Sequence, residues 1–330
     1  MNRLRWVVVA LALCGASLGH AEELALDKYR EILATYREGS FTVAADQLLT
    51  FELASVSRRN EELPTVLDLD RPSDRRDLMA AIVLQADTAL RSEDTLRRNF
   101  YLGEVGALLI SLGRGEGLFL QRDIHLAVAY SLFRRYRIVD ALAVLDPVAE
   151  RYPEDTAVQY AFGNLVELSG FIDGSERKLL RARAAYENIL ARNPNDARAR
   201  MRLGRVLLAL GEPEAGRLQL ETSLETLVDP AHKTIALLSL GDAARSSGRL
   251  EDASVLYDQA LHEDPQCQSA AVALSHTLRQ LGDAARARDV VRKSMENIER
   301  FVPPDSWLAY RLGDSTRAKE LWDKLRSRIR

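Results

Sequence analysis

The chain has 330 residues, with 45 Lys and Arg against 48 Asp and Glu for a formal net charge of −3, and it is 47% hydrophobic and 28% charged. This balance excludes an extended disordered chain, which would be poorer in apolar residues, and it lacks the basic footprint of a nucleic-acid binder. Aromatic residues contribute only 6%, the apolar content is mostly Ala and Leu, and no stretch alternates with β-branched enrichment, so an all-α chain is expected.

The first segment runs from a short basic region with Arg3 and Arg5 through the apolar Trp6–Leu13 to small residues at Gly19 and Ala21. This is the pattern of a secretory signal peptide over 1–21, with the mature chain starting at Glu22 in the periplasm. The apolar run falls short of the roughly 20 residues a membrane span needs. No later segment reaches that length, so a soluble mature chain without a transmembrane span is expected. A lipoprotein signal ending at Cys14 is the alternative, although Leu13 stands where such signals carry a small residue. Loss of the leader leaves 43 basic and 48 acidic residues, a net charge of −5. It also leaves Cys267 as the sole cysteine, so packing and not a disulfide must stabilise the fold.

Residues 22–117 read as helices that follow no strict repeat. Leu24–Arg37 and Phe41–Ala54 form a pair around Gly39 and Ser40, Pro64 and Pro72 mark a loop, and Asp74–Leu90 and Thr95–Leu112 are two further amphipathic helices. Gly113, Gly115 and Gly117 lack the spacing, the preceding strand and the Lys-Ser/Thr of a phosphate loop, and are expected to form a linker between helices.

From 118 to 300 one pattern recurs about five times: an apolar helix, a turn, and a second apolar helix that begins with small or acidic residues. Ala141, Leu145, Val148 and Pro153 close the first unit. Phe162 and Gly163 lie in the next, whose second helix carries Ala182, Tyr186, Ile189 and Pro194 about seven residues late. The extra residues, near Gly170–Gly174, are expected to lengthen the loop between its helices. Leu203, Gly204 and Leu220 belong to a third unit that Pro230 closes. Leu240, Gly241, Ala253, Tyr257, Ala260 and Pro265 mark the fourth; Leu274, Ala287 and Val291 mark the fifth, where Ser275 replaces the glycine. The segment 301–330, with Trp307, Tyr310, Gly313, Ala318, Leu321 and Trp322, is expected to form capping helices on the last full repeat.

These residues resemble the tetratricopeptide repeat, a helix–turn–helix unit of about 34 residues. Small residues let paired helices approach, and large apolar ones fill the groove between them. The resemblance implies a right-handed solenoid of stacked pairs, because one pair cannot bury its own apolar face. In the family, the first helix of each pair lines a concave groove. Carried onto this chain, the partner-binding candidates are Tyr130, Tyr160, Asn164, Arg198, Met201, Arg205, Asp242, Arg245, His276 and Arg279. The carboxylate clamp of some chaperone adaptors is not matched, since Tyr160 stands where that clamp has a lysine. A groove carrying arginines and tyrosines suits a protein or peptide partner of acidic character.

Signals for chemistry are missing from the sequence. His125, His232, His262 and His276 have no metal-ligand spacing, and no nucleophile–base motif or paired-acid motif is present. The expected protein is a non-enzymatic scaffold of the bacterial cell envelope that binds a protein partner, with no catalytic residue, cofactor or metal. A structural, self-associating repeat protein is the alternative; a small-ligand sensor or an enzyme is less favoured.

Overall fold

The computed structural model describes residues 27–51, 56–61, 72–111, 114–296 and 306–329. All regular structure among them is helical, with no strand. The expected signal peptide, Cys14 and Gly113 lie outside these residues. The helices are α1 (27–37), α2 (Phe41–Leu49), α3 (56–61), α4 (Pro72–Arg91), α5 (Thr95–Ser111), α6 (Arg114–Arg134), α7 (Ile138–Arg151), α8 (Thr156–Asp173), α9 (Glu176–Arg192), α10 (Ala197–Ala209), α11 (Pro213–Leu224), α12 (Pro230–Ser246), α13 (Leu250–Glu263), α14 (Gln268–Gln280), α15 (Ala284–Glu296), α16 (Ser306–Leu312) and α17 (Ala318–Ser327). The chain forms two compact units, one of residues 1–132 with 317–330 and one of residues 133–316.

In the first unit α4 is the central helix. Leu78, Ala80, Ala81, Ile82, Val83 and Leu84 have no exposed surface, as expected of a helix surrounded by others. It packs on α2 and α5. Two buried polar side chains on it make cross-helix bonds: Gln85 Nε2 donates to Tyr29 Oη at 3.1 Å and to Asn60 Oδ1 at 3.3 Å, and Tyr36 donates to Asp87 Oδ2 at 2.5 Å. The last helix, α17, belongs to this unit. Arg326 Nη2 donates to Asp87 Oδ2 at 2.7 Å, Lys324 Nζ to Asp123 Oδ2 at 2.7 Å, and Trp322 Nε1 to Ser131 Oγ at 2.9 Å. Helix α6 starts at Arg114, so Gly115 and Gly117 are helical and the expected linker is shorter than their glycines suggest. In a first turn the backbone N–H groups have no intrahelical partner anyway, and each glycine costs only about 1 kcal/mol relative to alanine.

The second unit is a row in which each helix from α7 to α15 packs on the next. Four full pairs follow α7: α8/α9, α10/α11, α12/α13 and α14/α15. The first helices of three pairs start at an aspartate N-cap. Asp155, Asp196 and Asp229 accept from the N–H groups of Val158, Ala199 and His232 at 3.0, 3.0 and 3.2 Å, each satisfying an orphan donor. The paired helices touch where the sequence places glycine opposite a large residue. A Cβ on Gly241 would lie 2.5 Å from the Tyr257 ring, one on Gly204 2.7 Å from Leu220, and one on Gly163 2.9 Å from Tyr186. The core joining the last three pairs includes Met201, Leu220, Ile235, Tyr257, Leu274 and Cys267.

Two expectations are corrected. The extra residues of the α8/α9 pair do not lengthen a loop; α8 continues for 18 residues to Asp173, and only Gly174 and Ser175 separate it from α9. Leu168, Ser169, Gly170 and Phe171 continue the helix because Gly170 packs on Leu179 of α9, where an added Cβ would lie 3.0 Å from that side chain. The C-terminal segment also does not cap the last repeat. Helix α16 packs on α12, and Trp322 lies in the first unit with Ser131. Trp307 and Tyr310 pack on the repeats against Arg202 and Arg205.

Candidate partner-binding groove

The concave face of the second unit centres on Glu167 of α8. Its side chain is 1% exposed. Such a carboxylate is costly to bury unless its oxygens are paired, and here four donors reach it. Arg202 Nη1 and Tyr186 Oη donate to Oε2 at 3.0 and 2.6 Å, and Arg205 Nη1 donates to Oε1 at 3.0 Å. The Tyr310 hydroxyl also donates to Oε1.

Arg202, on α10, is fully buried. Its guanidinium donates to Tyr160 Oη at 3.0 Å, to Asn164 Oδ1 at 2.9 Å and to the backbone oxygen of Tyr310 at 2.6 Å, in addition to Glu167. Burial opposes its charge, but Tyr310, Tyr160, Tyr186 and Glu167 outweigh that and hold its pKa well above the ordinary arginine value. Burial pushes the Tyr186 and Tyr310 phenols up, with the Glu167 charge adding to the effect, so both remain protonated donors. A buried network with its members satisfied in this way is rigid, and removal of Glu167 or Arg202, on which the bonds converge, strands the others.

The occupant of this face is the chain's own α16. Both Arg202 and Arg205 lie over the Tyr310 ring, at 3.9 and 4.6 Å from its centroid, and Arg205 also stacks on Trp307 at 4.5 Å and Phe171 at 4.9 Å. Beyond α16, Asp314 accepts from Arg198 at 3.2 Å, and Arg198 in turn covers the Tyr160 ring at 4.7 Å. Beside α16 a pocket of about 520 Å³ remains, lined by Leu168, Phe171, Arg205, Trp307 and Arg311 among others.

The sequence candidates therefore divide. Tyr160, Asn164, Arg198 and Arg205 come together around α16. Asp242, Arg245 and His276 come together further along the row, at an open depression of about 600 Å³ with Gln268, Ser269, Val272 and Ala273. There Asp242 accepts from Tyr257 Oη at 2.7 Å. Arg279, on α14 with His276, is exposed. Met201 is fully buried in the core between repeats, and Tyr130 is buried in the first unit. Arg202 escaped sequence reasoning because its position in the repeat faces inward, where an apolar residue is the default. An arginine at such a position, one repeat after an Asn164 and a Glu167, is the signal that could have found it. Among the described residues, no group of His, Cys, Asp and Glu has the arrangement of a metal site, and no helix is long and apolar enough to cross a membrane.

A family model, Tetratricopeptide repeat, matches residues 175–228 and 238–297, which lie within α9–α11 and α12–α15 and their connections. With the helix pairs and the glycine contacts between them, this shows tetratricopeptide repeats in that part of the chain. Solved structures similar to it include MamA from Desulfovibrio magneticus RS-1, at 24% identity over 52% of this chain and 92% of that one with a TM-score of 0.43. Another is YrrB, a TPR protein with an unusual peptide-binding site, at 19% identity over 60% of this chain and 91% of that one with a TM-score of 0.38. None of these scores reaches 0.5, and nothing about this chain's partner follows from them. No curated protein matches the chain.

Proposed function

We propose that this chain is a non-enzymatic scaffold of the bacterial cell envelope that binds a protein or peptide partner along the concave face of its repeats. The observation that carries this reading is the occupied groove: the face of α8, α10 and α12 already holds a helix, through the aromatic, charge-assisted and backbone contacts that peptide recognition uses. The depression at Asp242, Arg245 and His276 extends that face and is filled by no segment of the described chain. The placement in the envelope rests on the signal-like residues 1–21 alone.

The test is recovery of a partner from an envelope extract by the full chain and by an Arg245→Glu, Arg279→Glu variant. These two positions are chosen over Arg205, whose reversal would disrupt the buried network around Glu167. Loss of a specific partner with retained thermal stability supports the concave face as the binding surface. Equal recovery by both proteins rejects it.

A further inference from the structure

The way α16 is held has the chemistry of ligand recognition. A helix leaves its last four carbonyl groups without intrahelical donors and carries partial negative charge at that end. Here the repeats supply the donors. Arg202 Nη2 reaches the carbonyl of Tyr310 at 2.6 Å, and Asn164 Nδ2 reaches that of Arg311 at 3.5 Å. The buried guanidinium thus caps the helix C-terminus from another element. Gly313 follows with φ of +48°, and an added Cβ would lie 2.5 Å from Asn164 Nδ2, so only glycine fits at this exit. Tyr310 enters beneath the two guanidinium groups and reaches Glu167, Trp307 covers Arg205, and Asp314 meets Arg198. The set is a Trp and a Tyr one helical turn apart, a terminating Gly, and an Asp directly after it.

The fit is incomplete. The seven residues of α16 leave the pocket of about 520 Å³ open against Leu168 and Phe171, in the C-terminal part of α8. That volume is within the range of pockets that bury a ligand group, so an occupant with more apolar bulk at this wall would gain contacts α16 lacks.

Resting on the scaffold reading above, we infer that α16 is an internal place-holder, and that the groove at Glu167, Arg202 and Asn164 is a receptor for the C-terminal end of a short helix on a partner protein, bearing aromatic residues three apart and a closing Gly-Asp. The intramolecular copy competes with it. A tethered ligand acts at an effective concentration of the order of millimolar, so a partner segment of micromolar affinity is masked until α16 leaves.

The test uses the full chain and a fluorescent synthetic peptide of residues 305–316. A Gly313→Val substitution in the chain collides with Asn164 and expels α16 without touching the groove. Peptide anisotropy should report binding at least about 10-fold tighter to this variant than to the wild type. A peptide that itself carries Gly313→Val should bind neither protein. If the Gly313→Val chain fails to fold, Tyr310→Ala supplies the open groove, because Arg202, Arg205 and Tyr186 still satisfy Glu167. Equal, weak binding to wild type and to a folded variant whose residues 306–312 are exposed overturns the proposal. A wild-type dimer that exchanges this helix between copies would assign the groove to a second copy of the chain, and overturns the place-holder reading as well. Either failure leaves the charge-reversal test at Arg245 and Arg279 unaffected, so the two readings fail separately.

Discussion

Glu167→Gln is the sharpest perturbation of the second unit. The amide keeps the size of the side chain and removes the charge that the buried Arg202 requires, and its NH2 group faces donors instead of acceptors. Arg202 is left with Tyr160, Asn164 and one backbone carbonyl, and no counter-charge. Arg205 is partly exposed, at 12%, and can turn to water, so the loss is dominated by the one fully buried guanidinium. Stranding a buried charge costs about 3–5 kcal/mol. For a unit of this size each kcal/mol moves the midpoint by about 2–4 °C, so the transition of the second unit should fall by roughly 10 °C. Differential scanning calorimetry of the full chain measures it. Replacing both Glu167 and Arg202 by Met removes both charges at similar volume and should recover only part of the loss, because Tyr160, Asn164, Tyr186 and the Tyr310 carbonyl still lose their partners. A Glu167→Gln midpoint within about 2 °C of wild type would refute the view that this carboxylate organises the groove.

Three further outcomes are expected. Gly241→Ala places a methyl group 2.5 Å from the Tyr257 ring and should cost about 1–3 kcal/mol by overpacking, with Tyr257→Leu partly restoring the urea midpoint; full stability of the single variant would contradict the close helix contact. In the first unit, burial alone would raise the Asp123 pKa, but bonds from Lys324 and Arg122 outweigh it and hold the carboxyl below its ordinary 3.8. That stabilisation is fully present above the unfolded value and is lost as pH falls through the lower folded one, so the difference in stability between wild type and Asp123→Asn should be flat from pH 7 to 5 and shrink below about pH 4. Mass spectrometry of the protein expressed in a bacterium with a periplasm should find a mature chain that begins at Glu22; an intact leader in a cytoplasmic fraction would contradict export.

The pairing of helices was legible because it depends on local spacing. Gly204 and Gly241 stand at the same spacing before Leu220 and Tyr257, Gly163 keeps the contact with Tyr186 across the seven residues that lengthen α8, and small-against-large contacts between neighbouring helices write themselves into the order of residues. The two corrections come from contacts with no such period. Whether the residues around Gly170 form a loop or a longer helix turns on Leu179 packing against that glycine. The place of α16 is decided by bonds from Arg202 and Asn164 to residues more than a hundred positions away, and nothing around Trp307 or Tyr310 signals which face accepts them. The candidate groove was read as one row because the repeat places its residues at equivalent positions. In the folded chain, part of that row is engaged with α16, part is open, and Met201 and Tyr130 are buried away from it.

Hydrogen exchange of the amides of residues 306–312 in the full-length chain tests the occupied groove most directly. A seven-residue helix has no stability of its own in water, so protection in this segment reports its docking on the repeats. The structure predicts slow exchange in the wild type and near-unprotected exchange in Gly313→Val, with α8 and α10 unchanged between the two. Exchange of 306–312 at the rate of an unfolded chain in the wild type would contradict it.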